Sequence, residues 1–409
     1  MNVIKYHKIE HKSACIVAGS APNVFKEQIS LPALLLKQEA ALHNIDWMQR
    51  FANHSKVLLA PHAKTSMTPW LLQAQLAAGA WGLTVATPYQ AYIAAEAGAR
   101  HIILANQLVG AANIEIISSL LAAGIEIFVF VDNADNAITL SQAFAGRNQL
   151  LPVLIELGGV AGRCGCRDNQ QALALAQQIA PLPGLALAGI SFYEGAVAHD
   201  DNSNNIKRFI QQAAALAKAL FRQQLLQYKQ MVLSGAGSAW YDIVAQELNR
   251  ATLPDDMLVV LRPGCYVSHD HGIYQQAQLL VQQRCGLANR LGPPLQNALE
   301  IAAYIQSLPE DGLAIIACGK RDVAFDAGLP AVVAVYRAGN ILTTLATPSS
   351  TFRIMDQHCF WHYPPQLKPQ VGDIVLLVTS HPCLTFDKWR SLWLTDNNYN
   401  LLQQLPTFF

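Results

Sequence analysis

The sequence contains few charged residues and lacks several kinds of segment that would point to a particular partner. Charged residues make up 14% of the 409 positions, and hydrophobic residues make up 52%. The formal net charge is zero, and the absence of a basic block excludes nucleic acid as a main partner. No apolar run is long enough to span a membrane, and residues 1–19 lack the apolar core of a signal peptide. We therefore expect a cytoplasmic protein with no membrane partner, and the sparse surface charge favours a homo-oligomer.

The eight cysteines form neither a CxxC pair nor a dense framework. Cys164 and Cys166 are too close in sequence for an easy mutual disulfide. This pattern is typical of reduced cysteines in a cytoplasmic protein, where most serve as small core residues.

Short apolar strands alternate with helical segments from Leu58 onward. Strands are predicted at residues 58–60, 82–86, 102–105, 126–131, 152–157, 188–193, 231–233 and 258–261. Helix-stop glycines (Gly79, Gly98 and Gly124) follow three of the intervening helical segments. Eight strands separated by helices predict a (β/α)₈ barrel. A doubly wound open sheet is the alternative, but no Rossmann glycine fingerprint follows the first strand.

The pattern changes beyond Gly264, where helical periodicity fades and β-rich stretches appear. These lie at residues 279–283, 300–306, 314–318, 331–337 and 373–379, and Gly339-Asn340 is expected to form a hairpin turn. We therefore predict two domains. Residues 27–264 form the barrel, and residues 1–26 plus 265–409 form a mostly β domain.

One lysine, Lys64, lies just after the first predicted strand, and reactive groups of barrels collect at the carboxyl ends of the strands. An apolar pocket lowers the proton affinity of an amine, so Lys64 can attack a carbonyl there. An ordinary surface lysine is the alternative. The same end of the barrel is expected to present His62, Thr87, Asn106, Gln107, Asp132, Arg163, Tyr193, Glu194 and Arg262.

Some of these residues have simpler explanations. Asp132 and Asn106 are well suited to cap the helices that follow them. Arg262, which precedes Pro263-Gly264, is as well explained by a salt bridge between the two domains.

A glycine-rich turn, Ser234-Gly235-Ala236-Gly237-Ser238, follows the seventh predicted strand. Consecutive N–H groups in such a turn form an anion-binding nest, and phosphate sites of barrels favour the loops after strands seven and eight. A lysine after strand one, Arg163 after strand five, Tyr193 at strand six and a phosphate nest together suggest pyridoxal phosphate. Lys64 would hold its aldehyde as a Schiff base, and Arg163 or Tyr193 would tune its ring.

A histidine and a cysteine, His381 and Cys383, follow the apolar stretch 374–379. Side chains at i and i+2 of a strand share a face, and imidazole and thiolate are preferred ligands of zinc. Two ligands alone are a weak signal, and on spacing alone a buried histidine and cysteine are the simpler interpretation.

These motifs together resemble the D-serine dehydratase and D-threonine aldolase group of fold type III pyridoxal-phosphate enzymes, in its bacterial low-specificity amino acid deaminase branch. The resemblance runs nearly end to end. Its motifs are Leu31-Pro32-Ala33-Leu34, Pro61-His62-Ala63-Lys64-Thr65, Gly79-Ala80-Trp81-Gly82, Gly162-Arg163-Cys164-Gly165, Tyr193-Glu194-Gly195, the turn at 234–238, Arg262-Pro263-Gly264-Cys265-Tyr266, Gly319-Lys320-Arg321-Asp322 and Ser380-His381-Pro382-Cys383.

The resemblance implies an alanine-racemase-type barrel followed by a β domain, and a homodimer. It also implies that Lys64 binds pyridoxal phosphate, that Arg163 and Tyr193 contact its ring, and that the loop of Ser234, Gly235, Gly237 and Ser238 binds its phosphate. His381 and Cys383 would hold a divalent metal, with zinc preferred. The expected reaction is metal-dependent dehydration and deamination of D-serine, D-threonine or a related β-hydroxy D-amino acid.

Alternatives to this reaction are a D-threonine-type aldolase and a non-catalytic pyridoxal-phosphate carrier; a racemase is less well supported, since it leaves the metal pair without a role. The resemblance implies that D-threonine aldolases have an aspartate at the position of Cys383. The cysteine in this chain therefore favours the dehydratase. Two departures concern the substrate pocket. Thr65-Ser66-Met67 stands where many relatives have Thr-His-Lys, and an acidic residue is expected near Leu157.

Overall fold

The structure, a computed structural model, describes residues 12–13, 22–160, 162–197 and 203–409. Most of the predicted N-terminal segment 1–26 lies outside the described residues. Among the helices of the described ranges, none is long and apolar enough to cross a membrane.

The first two thirds of the chain alternate strands and helices. The elements are β1 (Ala33–Lys37), α1 (Gln38–His54), β2 (Leu58–Leu59), α2 (Pro69–Ala77), β3 (Leu83–Val85), α3 (Pro88–Glu96), β4 (His101–Gln107), α4 (Ala111–Ala122), β5 (Glu126–Val131), α5 (Ala134–Ala145), β6 (Leu151–Leu157), α6 (Asn169–Ile179), β7 (Leu185–Phe192), α7 (Ser203–Arg222), β8 (Met231–Gly235), α8 (Tyr241–Arg250) and β9 (Met257–Leu261).

The remaining elements are mostly strands. They are α9 (Ile273–Arg284), α10 (Gly286–Arg290), β10 (Leu299–Glu310), β11 (Leu313–Ile316), β12 (Ala331–Arg337), β13 (Asn340–Ser350), β14 (Arg353–Ile354), β15 (Cys359–His362), β16 (Ile374–Val378), α11 (Cys383–Phe386), β17 (Ser391–Thr395) and β18 (Leu401–Pro406).

Strands β2 to β9 form a nearly closed, parallel eight-stranded barrel, which confirms the predicted fold. Seven strand pairings hold the barrel together. Six join strands that are consecutive along the chain, from β3 to β9, and the seventh joins the first strand, β2, to the last, β9, where Leu59 pairs with Leu261. Strands β2 and β3 meet through a single bridge between His62 and Thr84. The interior is a packed apolar cluster that includes Phe128, Phe130 and Leu154. Because both faces of these strands are covered, they are near-continuous apolar runs that sequence patterns detect well.

A second, ten-stranded sheet forms from the C-terminal part of the chain and from β1. Its main path runs β13-β12-β16-β10-β1-β17-β18, with β11, β14 and β15 attached through β10. Strand β1 pairs antiparallel with β10 and parallel with β17. The predicted hairpin joins β12 to β13, but its two turn residues are Ala338 (φ 48°) and Gly339 (φ 81°), one position earlier than expected. Positive φ at both positions is what a tight two-residue hairpin turn needs.

Two features of this sheet differ from the sequence-based expectations. The stretch 279–283, expected to be a strand, lies inside helix α9. Strand β1 lies within the range 27–264 predicted for the barrel, yet its hydrogen bonds belong to the second sheet. The domain boundaries themselves stay a prediction.

The second sheet packs against the end of the barrel at which its strands finish. A single buried apolar cluster contains residues of both parts, among them Leu59 and Met67 of the barrel and Trp389 and Leu392 of the sheet region. The backbone N–H of Phe408 also donates to the carbonyl of Met67 at 3.0 Å. The residues after β2 and after β16 are therefore brought to one place.

A buried histidine next to this junction makes stability depend on pH. His269 is 4% exposed, and burial lowers its pKa from 6.5 to about 4. The unfolded chain therefore binds one more proton than the folded chain between these values, so stability is lost as the pH falls from 6.5 towards 4. Between pH 7 and pH 5 the wild type should lose about 2 kcal/mol of unfolding free energy because of His269, and His269→Asn should not show this loss. Urea unfolding followed by tryptophan fluorescence measures both proteins.

Asparagine suits the positive φ of position 269 (51°). The matched control is His358→Asn, since His358 is exposed on a turn. An equal pH dependence of wild type and His269→Asn would contradict the prediction.

Candidate active site

A cavity of about 620 Å³ opens where the barrel strands end and the second sheet begins. Seven of the predicted site residues line it: Lys64, Arg163, Tyr193, Gly237, Ser238, His381 and Cys383. The other two, Ser234 and Gly235, do not line the cavity. Ser234 is fully buried and its hydroxyl donates to the carbonyl of Val260 at 3.0 Å, while Gly235 packs against the ring of Phe192.

Lys64 lies in a short 3-10 turn, Ala63–Thr65, directly after β2. Its side chain is exposed and lines the cavity. The expected apolar surroundings are wrong, because charged side chains such as Arg262 line the same cavity. Burial, together with the positive charges of Lys64 and Arg262, holds the pKa of His62 well below its usual value. The imidazole next to the lysine is therefore neutral at pH 7.

Arg163 and Tyr193, predicted to contact a cofactor ring, contact each other. The Arg163 guanidinium lies 5.2 Å from the centre of the Tyr193 ring. On the same wall, the Glu156 carboxylate accepts a hydrogen bond from Gln107 at 2.6 Å, and burial raises its pKa. Glu156 adjoins Leu157, so the second departure stated above was wrong, because an acidic residue is present next to that position.

Arg262 is a buried cation rather than the interdomain salt-bridge residue of the simpler explanation. It is 7% exposed, and its Nη2 donates to the carbonyl of Phe192 at 2.6 Å. Burial lowers its pKa to about 10, while the nearby carboxylates of Glu194 and Glu156 act in the opposite direction. Arg262 thus supplies positive charge to the floor of the cavity.

The glycine-rich turn forms the anion nest that the sequence predicts. The N–H groups of Ala236 and Gly237 point at one anion, the carboxylate of Glu194, at 3.1 and 2.7 Å. Ala236 has a φ of 72°, the left-handed conformation that brings successive N–H groups together. Burial raises the pKa of Glu194, although both N–H groups favour its charged form.

A second pair of N–H groups lies beside this nest. The backbones of Gly264 and Cys265 both donate to the hydroxyl of Ser238 at 3.1 Å. Only glycine fits at position 264, because a Cβ there would lie 2.5 Å from the hydroxyl oxygen of Thr65. Two loops therefore each contribute a pair of N–H groups to the lining of the cavity.

The side chains of His381 and Cys383 contact each other, but the two residues do not lie on a strand. Strand β16 ends at Val378, and Cys383 is the first residue of the short helix α11. The Nδ1 atom of His381 lies 2.7 Å from a carboxylate oxygen of Asp326. Hydrogen bonds with Cys383 and Asp326 raise the pKa of His381 to about 9.

Cys383 has two further neighbours. Its sulfur lies 3.3 Å from that of Cys265, and its thiol donates to the hydroxyl of Thr65 at 3.5 Å. The hydrogen bond with Cys265 is the main cause that lowers the pKa of Cys383. Because Thr65 follows Lys64, the histidine–cysteine pair belongs to the same site as the lysine.

The predicted helix caps are wrong for Asp132 and Asn106. Helix α5 is capped by Asn133, and Gly110 precedes α4. Asp132 instead accepts the N–H of Gly165 at 3.0 Å. Its carboxylate forms a cluster with Glu156 and Cys164, whose ligand atoms all lie within 4.8 Å of one another.

The donor groups of the cavity fit pyridoxal phosphate. Two buried polar atoms, Nδ1 of His62 and Nε of Arg262, have no hydrogen-bond partner within the described chain. The N–H groups of Ala236 and Gly237 donate to Glu194 and those of Gly264 and Cys265 donate to Ser238, so a phosphate would bind them in place of these two side chains. A metal also fits at His381 and Cys383, since a carboxylate on the other ring nitrogen is the usual support of a metal-bound histidine.

Sequence reasoning missed Asp326, Cys265 and the role of Glu194. Cys265 stands within the quoted motif that begins at Arg262, so its position after the eighth strand was a usable signal. Glu194 was expected at this end of the barrel, but its hydrogen bonds to the glycine-rich turn were not, and Asp326 gave no signal, because the partners of both residues are distant in sequence.

Comparisons with known proteins agree with this architecture. The model of the alanine racemase N-terminal domain matches residues 36–250, more than half of the chain, and that of the putative serine dehydratase domain matches residues 298–395. A D-threonine aldolase of Arthrobacter sp is 29% identical over 367 residues, which cover 88% of this chain and 87% of the relative.

Solved structures share the fold. D-threonine aldolase from Filomicrobium marinum aligns with a TM-score of 0.77 at 23% identity, over 95% of this chain and 98% of that chain. D-threo-3-hydroxyaspartate dehydratase from Delftia sp. HT23 aligns with a TM-score of 0.71 at 19% identity, over 93% and 97%. The predicted alanine-racemase-type barrel with a mostly β C-terminal domain is thereby confirmed. The chain belongs to the fold type III family of pyridoxal-phosphate enzymes, with an alanine racemase N-terminal domain followed by a serine dehydratase domain.

Proposed function

We propose that this enzyme dehydrates and deaminates a β-hydroxy D-amino acid, such as D-serine or D-threonine, to a 2-oxo acid and ammonia. The observation that carries the proposal is the contact between Cys383 and Thr65, because it brings the His381–Cys383 pair into the cavity of Lys64. A reaction that must both remove a proton from the α-carbon and expel a β-hydroxyl needs both groups in one site.

Lys64, Arg163, Tyr193 and the glycine-rich turn are the proposed cofactor residues. Pyridoxal phosphate, when bound, supplies an electron sink for the charge that develops at the substrate α-carbon. Lys64 would carry the cofactor and then, as a free amine, take the proton from the α-carbon. The N–H groups of Gly237 and Cys265, which donate to Glu194 and Ser238, would turn to the phosphate when the cofactor binds, and Arg262 would add positive charge to the same cavity.

His381 and Cys383 are the proposed metal ligands, and zinc is the ion that imidazole and thiolate prefer. A metal at this position would supply Lewis acidity to the β-oxygen of the substrate, since hydroxide is a poor leaving group at neutral pH. Asp326 would hold the His381 ring so that its other nitrogen faces the metal.

A D-threonine-type aldolase is the second candidate, and it is favoured by the similarity to the aldolase of Arthrobacter sp. It would use the same lysine but cleave the bond between the α- and β-carbons, with a base acting on the β-hydroxyl proton. A non-catalytic cofactor carrier is the third. It is disfavoured because such carriers are single barrels, whereas this chain adds a second sheet at the cavity.

We also propose that the protein is a homodimer. Apolar side chains that line the cavity are exposed, among them Leu384 and Phe409, and a second copy would cover them.

Replacing Lys64 tests the cofactor assignment. Borohydride reduction of the holoenzyme should attach the cofactor to Lys64, as read by peptide mass spectrometry, and Lys64→Ala should show no attachment and no turnover. Lys207→Ala, outside the cavity, is the matched control. Attachment elsewhere in Lys64→Ala, with turnover kept, would disprove the role of Lys64.

The product of D-threonine separates the candidates. Dehydration gives 2-oxobutanoate and ammonia, whereas an aldolase gives glycine and acetaldehyde. If a metal supplies several kcal/mol to the departure of the hydroxyl, a chelator should slow dehydration about 100-fold or more, and added zinc should restore it. Glycine and acetaldehyde as the products would overturn the proposal in favour of the aldolase. A carrier would keep its cofactor and have no activity for the chelator to remove.

Asp326→Asn tests the metal pair without relying on turnover. Because a carboxylate partner orients a metal-bound histidine, its loss should weaken zinc binding about 10–100-fold in a competition titration. Asp311→Asn, in an exposed turn of the second sheet, should bind zinc as the wild type does. Unchanged affinity in Asp326→Asn would count against His381 as a ligand.

A further inference from the structure

One thiol of the cavity has no role in the proposed reaction. Cys265 lies in a short 3-10 turn after the last barrel strand, is 4% exposed, and its side chain lines the cavity. Its backbone N–H donates to the hydroxyl of Ser238, and its sulfur contacts that of Cys383 in the second sheet region.

The distance between the sulfurs of Cys265 and Cys383 suits a shared metal ion better than a disulfide. The two atoms lie 3.3 Å apart, and both cysteines are free. A disulfide would require about 2.0 Å. Two thiolates bonded at about 2.3 Å to one tetrahedral zinc lie about 3.8 Å apart. A small outward shift of the two sulfurs therefore makes room for an ion between them.

Cys383 is contacted by both of the other donors. It is hydrogen-bonded to Cys265 and to the ring of His381, whose Nδ1 is held by Asp326. The three ligand atoms are not yet a closed set, because the only described trio within 4.8 Å is the one of Asp132, Glu156 and Cys164. Since both already contact Cys383, zinc binding must bring the sulfur of Cys265 and the ring of His381 closer to each other.

We propose that Cys265 is a third protein ligand of the metal, so that the site is a Cys₂His set made by Cys265, His381 and Cys383. The inference rests on the metal pair of the proposed function. Three protein ligands and one open position are the usual arrangement of a catalytic zinc, and the open position is the one a substrate oxygen needs. Two thiolates also select zinc over magnesium or manganese, which prefer oxygen ligands.

Zinc K-edge X-ray absorption of the full-length holoenzyme counts the sulfur ligands directly. Wild type should show two sulfurs for each bound zinc, and Cys265→Ser should show one. Cys285→Ser removes a thiol outside the cavity and should keep two. Cofactor absorbance, measured in each variant, reports that the barrel has folded.

The outcomes separate this inference from the function on which it rests. One sulfur per zinc in the wild type, unchanged in Cys265→Ser, overturns the role of Cys265 and leaves His381 and Cys383 as the ligands. Zinc without any sulfur, or no stoichiometric zinc, overturns both. The wild-type spectrum alone decides if Cys265→Ser fails to fold.

Affinity gives a second measurement. In a chelator competition, Cys265→Ala should bind zinc at least about 10-fold more weakly than wild type, because loss of a ligand costs no less than loss of a supporting residue. Equal affinities would contradict the inference.

Discussion

The docking of the segment after β16 onto the turn after β2 is the contact on which the site depends. Lys64 belongs to the barrel, whereas His381 and Cys383 belong to the second sheet, and the hydrogen bond between Cys383 and Thr65 joins them. A shared apolar core and the hydrogen bond from Phe408 to Met67 hold the two parts in this position. The apolar surface buried in this shared core stabilises the assembled site together with these hydrogen bonds.

The fold was largely predictable because the barrel strands are buried on both faces and are therefore apolar runs. Helix-stop glycines such as Gly79 marked where the intervening helices end. Strand β1 was missed as part of the second sheet, since its partners lie near residues 300 and 393 and leave no local pattern. The stretch 279–283 was assigned to a strand because a short apolar run between glutamines fits either element, and tertiary packing decided for helix α9.

The candidate site was predictable where chemistry follows strand ends, as it does for Lys64, Arg163 and the turn at 234–238. The candidate site was not predictable where a residue binds a partner that is distant in sequence. The nest N–H groups were foreseen, but their anion, Glu194, was not. His381 and Cys383 were paired by a strand periodicity that the structure does not contain, so a correct grouping came from a wrong geometric reason.

Strand β1 has a consequence for how the chain matures on the ribosome. It lies near the centre of the second sheet, yet its partners β10 and β17 are made only after the whole barrel has been synthesised. During synthesis the strand β1 therefore has no pairing strand until the barrel residues have been translated. A nascent chain of this kind exposes an unpaired strand edge for most of its translation, and such edges attract other chains. The second sheet thus assembles late, and β1 must avoid pairing with other chains until then.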